Sequence, residues 1–119
     1  MTSILVIEDS MVEAEQIVQC LRQSGYNVFN VTTAEAAKAI LEKRTFDAIV
    51  TDIVLPGQSG FGFCRELRNH QEMADVPIII CSSKSSKIDK SWGMKQGASA
   101  YVTKPINPEE LIQTLERFV

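Results

Sequence analysis

Glu8 and Asp9, then Asp52, then Ser82 and Ser83, then Thr103 and Lys104 each follow directly on a short apolar run. Gathered in one place, such acids, hydroxyls and an ammonium can manage a phosphoryl group. Carboxylate oxygens suit a hard divalent cation, magnesium first. Cation and lysine would neutralise equatorial phosphoryl oxygens, a hydroxyl would donate to another, and an aspartate would attack in line to give an acyl phosphate. Taken singly, each residue has an ordinary reading. Glu8 and Asp9 suit the acidic start of a helix, Asp52 a turn running on to Pro56, Gly57 and Gly60, Ser82 an N-cap, and Lys104 a solvated loop. Their shared place, always behind an apolar run, favours the joint reading.

The elements around that place can be read as well. Apolar runs fall at 4–7, 28–31, 48–50, 78–81 and 100–102, most of them rich in β-branched residues and bounded by polar or turn residues. Runs apolar on both faces suit buried parallel strands. Between and after them come residues at helical spacing: Met11, Ala14, Val18 and Leu21; Ala36, Ala37, Ile40 and Leu41; Phe63 and Leu67; Ile88 and Trp92; Leu111, Ile112 and Leu115. These read as amphipathic helices that cover the sheet. Gly25 and Gly97 stand where helices end in the left-handed conformation, and Asn107-Pro108-Glu109-Glu110 reads as a helix start. The pattern predicts an α/β fold, a (βα)5 doubly wound parallel sheet of five strands with right-handed crossovers. In such an open sheet ligands bind beyond the carboxyl ends of the strands, where the acids, hydroxyls and lysine fall. With the first and third strands adjacent, Glu8, Asp9 and Asp52 would repel one another unless a cation sat between them.

Composition narrows the class. The chain has 119 residues, 45% hydrophobic and 23% charged, which is enough for one ordinary core and too little for two. The expectation is a single domain over 1–119 with no output domain attached. Net charge is −3 and the basic residues are scattered, so direct nucleic-acid binding is not expected. Cys20, Cys64 and Cys81 lie far apart among apolar neighbours and read as reduced core residues. No apolar stretch approaches a membrane span and no basic leader precedes the first strand, so the expectation is a cytoplasmic protein.

Rival phosphate chemistries lack their motifs. There is no Gly-x-x-x-x-Gly-Lys-Ser/Thr loop and no Gly-x-Gly-x-x-Gly after the first run. Glu8 and Asp9 would repel a phosphate held there in the manner of a flavin-binding loop. An aspartyl phosphatase would want a second acid two residues beyond Asp52, where Val54 stands, and the lone His70 gives a Ser/His or Cys/His hydrolase little support.

The stretches 4–10, 47–57 with Ser59-Gly60, 76–82 and 101–105 together resemble the receiver domains of two-component response regulators, over the whole chain. The resemblance implies the CheY-like, flavodoxin-like strand order 2-1-3-4-5. It implies that Asp52 is the phosphoacceptor, Ser82 the hydroxyl switch, Lys104 the phosphate-binding lysine and Tyr101 the aromatic that follows Ser82. Magnesium, with manganese as a substitute, would be ligated by Asp9, Asp52 and the Val54 main-chain carbonyl, and by Glu8 through water. The bond before Pro105 is expected to be cis, as in that family. The stretch 89–98, with Trp92, is similar to stand-alone, chemotaxis-like receivers of type IV pilus twitching and phototaxis systems. The implied partners are a CheA-like histidine kinase and a downstream protein bound on the face of the fourth helix, fifth strand and fifth helix, the chain being a monomer or weak dimer. Self-directed phosphotransfer is expected rather than enzymatic turnover on a small phosphorylated substrate. The alternative is a phosphorylation-independent scaffold of the same fold.

Overall fold

The computed structural model describes residues 1–119. The apolar runs become strands β1 (Ser3–Ile7), β2 (Asn27–Val31), β3 (Ala48–Thr51), β4 (Ile78–Ser82) and β5 (Ala100–Thr103). The intervening and final segments are helices α1 (Met11–Gln23), α2 (Ala34–Leu41), α3 (Gly60–Arg68), α4 (Lys87–Lys95) and α5 (Pro108–Glu116). All pairings are parallel and the order is β2-β1-β3-β4-β5, as the resemblance implied. β1, β3 and β4 lie inside the sheet and are buried almost throughout, so their sequences are apolar on both faces. The edge strands are less fully covered: in β2, Val28 is buried and Asn30 exposed, and β5 alternates buried with half-buried residues.

Alternate residues of one strand serve opposite cores. On one face Ile4, Val6, Val50 and Ile79 pack with Ile17 and Leu21 of α1 and with Leu111 and Leu115 of α5. On the other, Leu5, Ile7, Ile49 and Ile80 pack with Ala34 and Ala37 of α2 and with Phe63 and Leu67 of α3. Each Ile, Leu or Phe so buried contributes roughly 1.5–3 kcal/mol, which anchors these helices to the sheet.

α4 departs from the expectation drawn from Ile88 and Trp92. Both are exposed, and Gly93 is the buried residue of this helix. The reason is steric. α4 approaches the sheet so closely at Gly93 that an added Cβ would stand 3.0 Å from Ile80 Cδ1 and 3.2 Å from the Tyr101 ring, which turns the larger apolar side chains outward. Met11 is likewise exposed; the inner stripe of α1 is Ala14, Ile17, Val18, Cys20 and Leu21.

The helix ends behave as their residues dictate. Ser10, Thr33, Ser59, Ser86 and Asn107 are N-caps whose side chains accept a backbone N–H three residues ahead. The N-cap reading of Ser82 is not realised, because Ser82 ends β4 and Ser86 caps α4. Gly25 and Gly97 have φ of 92° and 108°, the left-handed region that favours glycine. The Lys104–Pro105 bond is cis. The three cysteines are free and buried, and no helix is long and apolar enough to cross a membrane.

Candidate functional site

Register brings the candidate side chains together. Ile7 pairs with Thr51, so the next residues, Glu8 and Asp52, leave adjacent strands side by side. Ser82 pairs with Thr103, so Lys104 follows on the far side of β4. The sheet extends to β2 on one side of β1 and to β3 on the other, and this switch in winding opens a crevice at the carboxyl ends of β1 and β3.

The Lys104 ammonium is the centre of the crevice. It donates to Glu8 Oε1, to Glu13 Oε2 at 2.7 Å and to Asp52 Oδ2 at 2.8 Å. An ammonium has three N–H donors, and here each meets a carboxylate. The Lys104 side chain is 6% exposed and that of Glu8 1%. Burial alone would lower the Lys104 pKa, but its bonds to Asp52, Glu13 and Glu8 outweigh burial and hold it above the ordinary lysine value. Burial raises the Glu8 carboxyl, against the pull of Lys104 and of the Ser10 N–H, which donates to Glu8 Oε2 at 3.1 Å.

Asp52 is fixed from the other side. Its Oδ1 accepts from the backbone N–H of Ile53 at 2.6 Å and of Val54 at 3.4 Å, leaving Oδ2 toward the lysine. The loop after Asp52 folds back beneath it, and Gly60 N–H donates to the Ile53 carbonyl at 2.8 Å. Only glycine permits this: a Cβ at position 60 would run into the Asp52 carbonyl oxygen.

Ser82 is buried at the end of β4, and its Oγ accepts the Lys84 N–H at 3.3 Å. The Lys84 carbonyl in turn accepts the Tyr101 hydroxyl. One short stretch of backbone therefore touches both residues. The Tyr101 phenol is raised by burial first and by the Asp89 charge next. Ser83 is exposed and Thr103 half-buried.

The acids that approach one another are Glu8, Glu13 and Asp52, each offering an oxygen within 4.8 Å of the others. Asp9 is exposed at the mouth of the crevice and stands outside this trio. Glu13 escaped the sequence reading because Ser10-x-x-Glu13 has the spacing of a helix-capping box, which accounts for both residues locally. The signal that points to it is its place in the first turn of a helix that starts from the crevice. Hard, anionic oxygen donors that outnumber the single ammonium fit a magnesium ion, whose two charges would offset the excess.

The chain is similar to proteins of one family and fold. Residues 4–116 match the response regulator receiver domain family. Protein PilH of Pseudomonas aeruginosa is 34% identical over 115 residues, which span 97% of this chain and 95% of that protein. Other relatives, 38% identical over 94% of this chain, are longer, and the chain spans 48% of them. The chemotaxis response regulator CheY4 of Vibrio cholerae superimposes with a TM-score of 0.92 at 30% identity, covering 100% of this chain and 99% of that one. The receiver domain of the sensor histidine kinase PA1611 of Pseudomonas aeruginosa, solved with a magnesium ion coordinated in the active site cleft, does so with a TM-score of 0.90 at 32% identity, covering 98% and 96%. With acids, hydroxyl and lysine at the strand ends and a match from the first strand into the last helix, the chain belongs to the response regulator receiver domain family of two-component signalling systems.

Proposed function

We propose that the chain works as a cytoplasmic receiver, taking a phosphoryl group from a histidine kinase onto Asp52 and signalling by phosphorylation-controlled protein binding. The observation that carries this is the buried Lys104 ammonium held 2.8 Å from Asp52 Oδ2, the carboxylate oxygen left without a backbone donor. In the transfer Oδ2 forms a bond to phosphorus, the phosphorus–nitrogen bond of the kinase phosphohistidine breaks, and its electron pair leaves with the imidazole. The N–H groups of Ile53 and Val54 keep the carboxylate from turning. Lys104 accompanies the arriving phosphoryl oxygens, and the Ser82 hydroxyl donates to one of them. Asp9, Asp52, the Val54 carbonyl and, through water, Glu8 would hold magnesium, with manganese as a substitute. The bound ion would supply further neutralisation of phosphoryl charge.

The readout follows from the Lys84 backbone. Drawing the Ser82 hydroxyl toward a phosphoryl oxygen takes an acceptor from the Lys84 N–H, and the carbonyl of the same residue holds Tyr101. A change at Ser82 thus reaches Tyr101 and the surface of α4, β5 and α5, where Ile88 and Trp92 stand exposed. Phosphorylation need only shift an existing equilibrium between the forms of that surface. Similarity to PilH supports a part in pilus-related signalling, and the sequence resemblance of the stretch 89–98 extends the proposal to a CheA-like kinase and to pilus-based motility or phototaxis.

Incubation with magnesium and acetyl phosphate, followed by intact mass, tests the reading. The chain gains one phosphoryl group and Asp52→Asn gains none. An unmodified wild-type chain overturns it and leaves a scaffold that binds without phosphorylation, and a gain that persists in Asp52→Asn overturns Asp52 as the acceptor.

A further inference from the structure

We propose that Glu13 is a positioning residue for Lys104, a resident carboxylate that occupies the ammonium until phosphoryl oxygens displace it and so restrains the transfer. The inference rests on the receiver reading above. Two helices of this chain begin with Ser-x-x-acid, and they use the acid differently. At α4 the box closes, with the Ser86 N–H donating to Asp89 Oδ2 at 3.3 Å. At α1 the Ser10 N–H goes instead to Glu8 Oε2 at 3.1 Å, and the Glu13 carboxylate reaches Lys104 at 2.7 Å, across 91 positions of sequence. The first turn of α1 keeps its Ser10 hydroxyl cap, so capping does not explain where Glu13 points.

All three lysine donors are taken, so a phosphoryl oxygen gains one only when a carboxylate lets go. Glu8, 1% exposed, has no water to turn to. Glu13 is 44% exposed and borders an open hollow of about 210 Å³ with Gln16, Ile17 and Ser83. Of the two carboxylates that do not become bonded to phosphorus, it is the one that can swing out and be hydrated, so its release is the less costly. Glu13 belongs to the trio of acids with Glu8 and Asp52 but is not one of the ligands proposed above for the metal, so its charge acts on the crevice without being fixed to either ligand.

That charge acts with opposite sign on the two ligands of the crevice. It attracts a divalent cation and repels an incoming phosphoryl dianion. Glu13→Gln, which keeps the shape and removes the charge, therefore moves the two properties apart, whereas a merely structural role would move both toward loss or neither. The wild-type chain, Glu13→Gln and Glu13→Asp are compared in two assays, after melting curves confirm that each is folded. One is the rate of mass gain from acetyl phosphate at saturating magnesium; the other is magnesium affinity by calorimetry without a phosphodonor. Glu13→Gln is expected to gain the phosphoryl group roughly fivefold faster and to bind magnesium roughly fivefold more weakly, with Glu13→Asp returning toward wild type in both. A Glu13→Gln rate that is unchanged or slower overturns the inference while the receiver reading stands. A wild-type chain that takes no phosphoryl group removes the receiver reading and the inference together. Should Glu13→Gln fail to fold, Glu13→Ala, which retains helix propensity, carries the same expectations.

Discussion

A lysine ammonium that is 6% exposed must have its charge met inside the protein, and the carboxylates of Glu8, Glu13 and Asp52 do this. Asp52, Ser82 and Lys104 could be picked out of the sequence because each closes an apolar run, and strand ends are where an open sheet keeps its chemistry. Glu13 could not, because its contact depends on how α1 is aimed, and spacing along a helix does not report that. Cys81, next to Ser82, shows the same crevice from within the core. Burial pushes its thiol from the ordinary value near 9.0 up to about 12, against a smaller opposing pull from Lys104. A folded pKa above the unfolded one means a contribution to stability that is fully present below pH 9.0 and is lost as pH rises toward 12. The folded chain is therefore expected to resist iodoacetamide at Cys81 near pH 8. Its melting temperature should also fall more steeply above pH 9.0 than that of Cys81→Ala. Equal alkaline slopes, or rapid labelling of the folded chain, would show that this thiol is not closed off.

Among the elements, strands were easier to read than helix faces. A run such as Ile78 to Cys81 has one explanation, a strand covered on both sides, and β4 obeys it. The spacing of Ile88 and Trp92 marks one side of a helix without saying whether that side meets the sheet or solvent. Gly93 decides it, through a closeness of approach that is a tertiary property. Gly93→Ala therefore sets two terms against each other. Helix propensity gains about 1 kcal/mol, and a methyl pressed on Ile80 and the Tyr101 ring loses roughly 1–3 kcal/mol. The expected outcome in urea unfolding is a net loss of about 1 kcal/mol, with a shifted Tyr101 ring signal in NMR spectra. A net gain would show that α4 lifts off the sheet without resistance.

For the whole molecule, alternation of strand and helix led directly to the doubly wound sheet, since parallel strands need crossovers and crossovers need helices. What alternation did not show is the balance of charge in the crevice, where three carboxylates face one ammonium. An ion that binds only the folded form stabilises it by mass action, by about 2.7 kcal/mol at a hundred times its dissociation constant. Magnesium should accordingly raise the melting temperature at neutral pH. A chain indifferent to both magnesium and calcium would show that these acids do not act as one site. The parallel sheet has a practical consequence for anyone attaching something to this protein. Every strand points its carboxyl end at the crevice, so β1 begins at the opposite rim, where Thr2 accepts the Asn27 N–H. α5 runs back to that same rim, bringing Glu116 close enough to raise the Tyr26 phenol in addition to burial. A dye, bead or tether joined at Met1 or Val119 stands clear of an approaching kinase, whereas the same label on the loop after β3 or β4 would sit in its path.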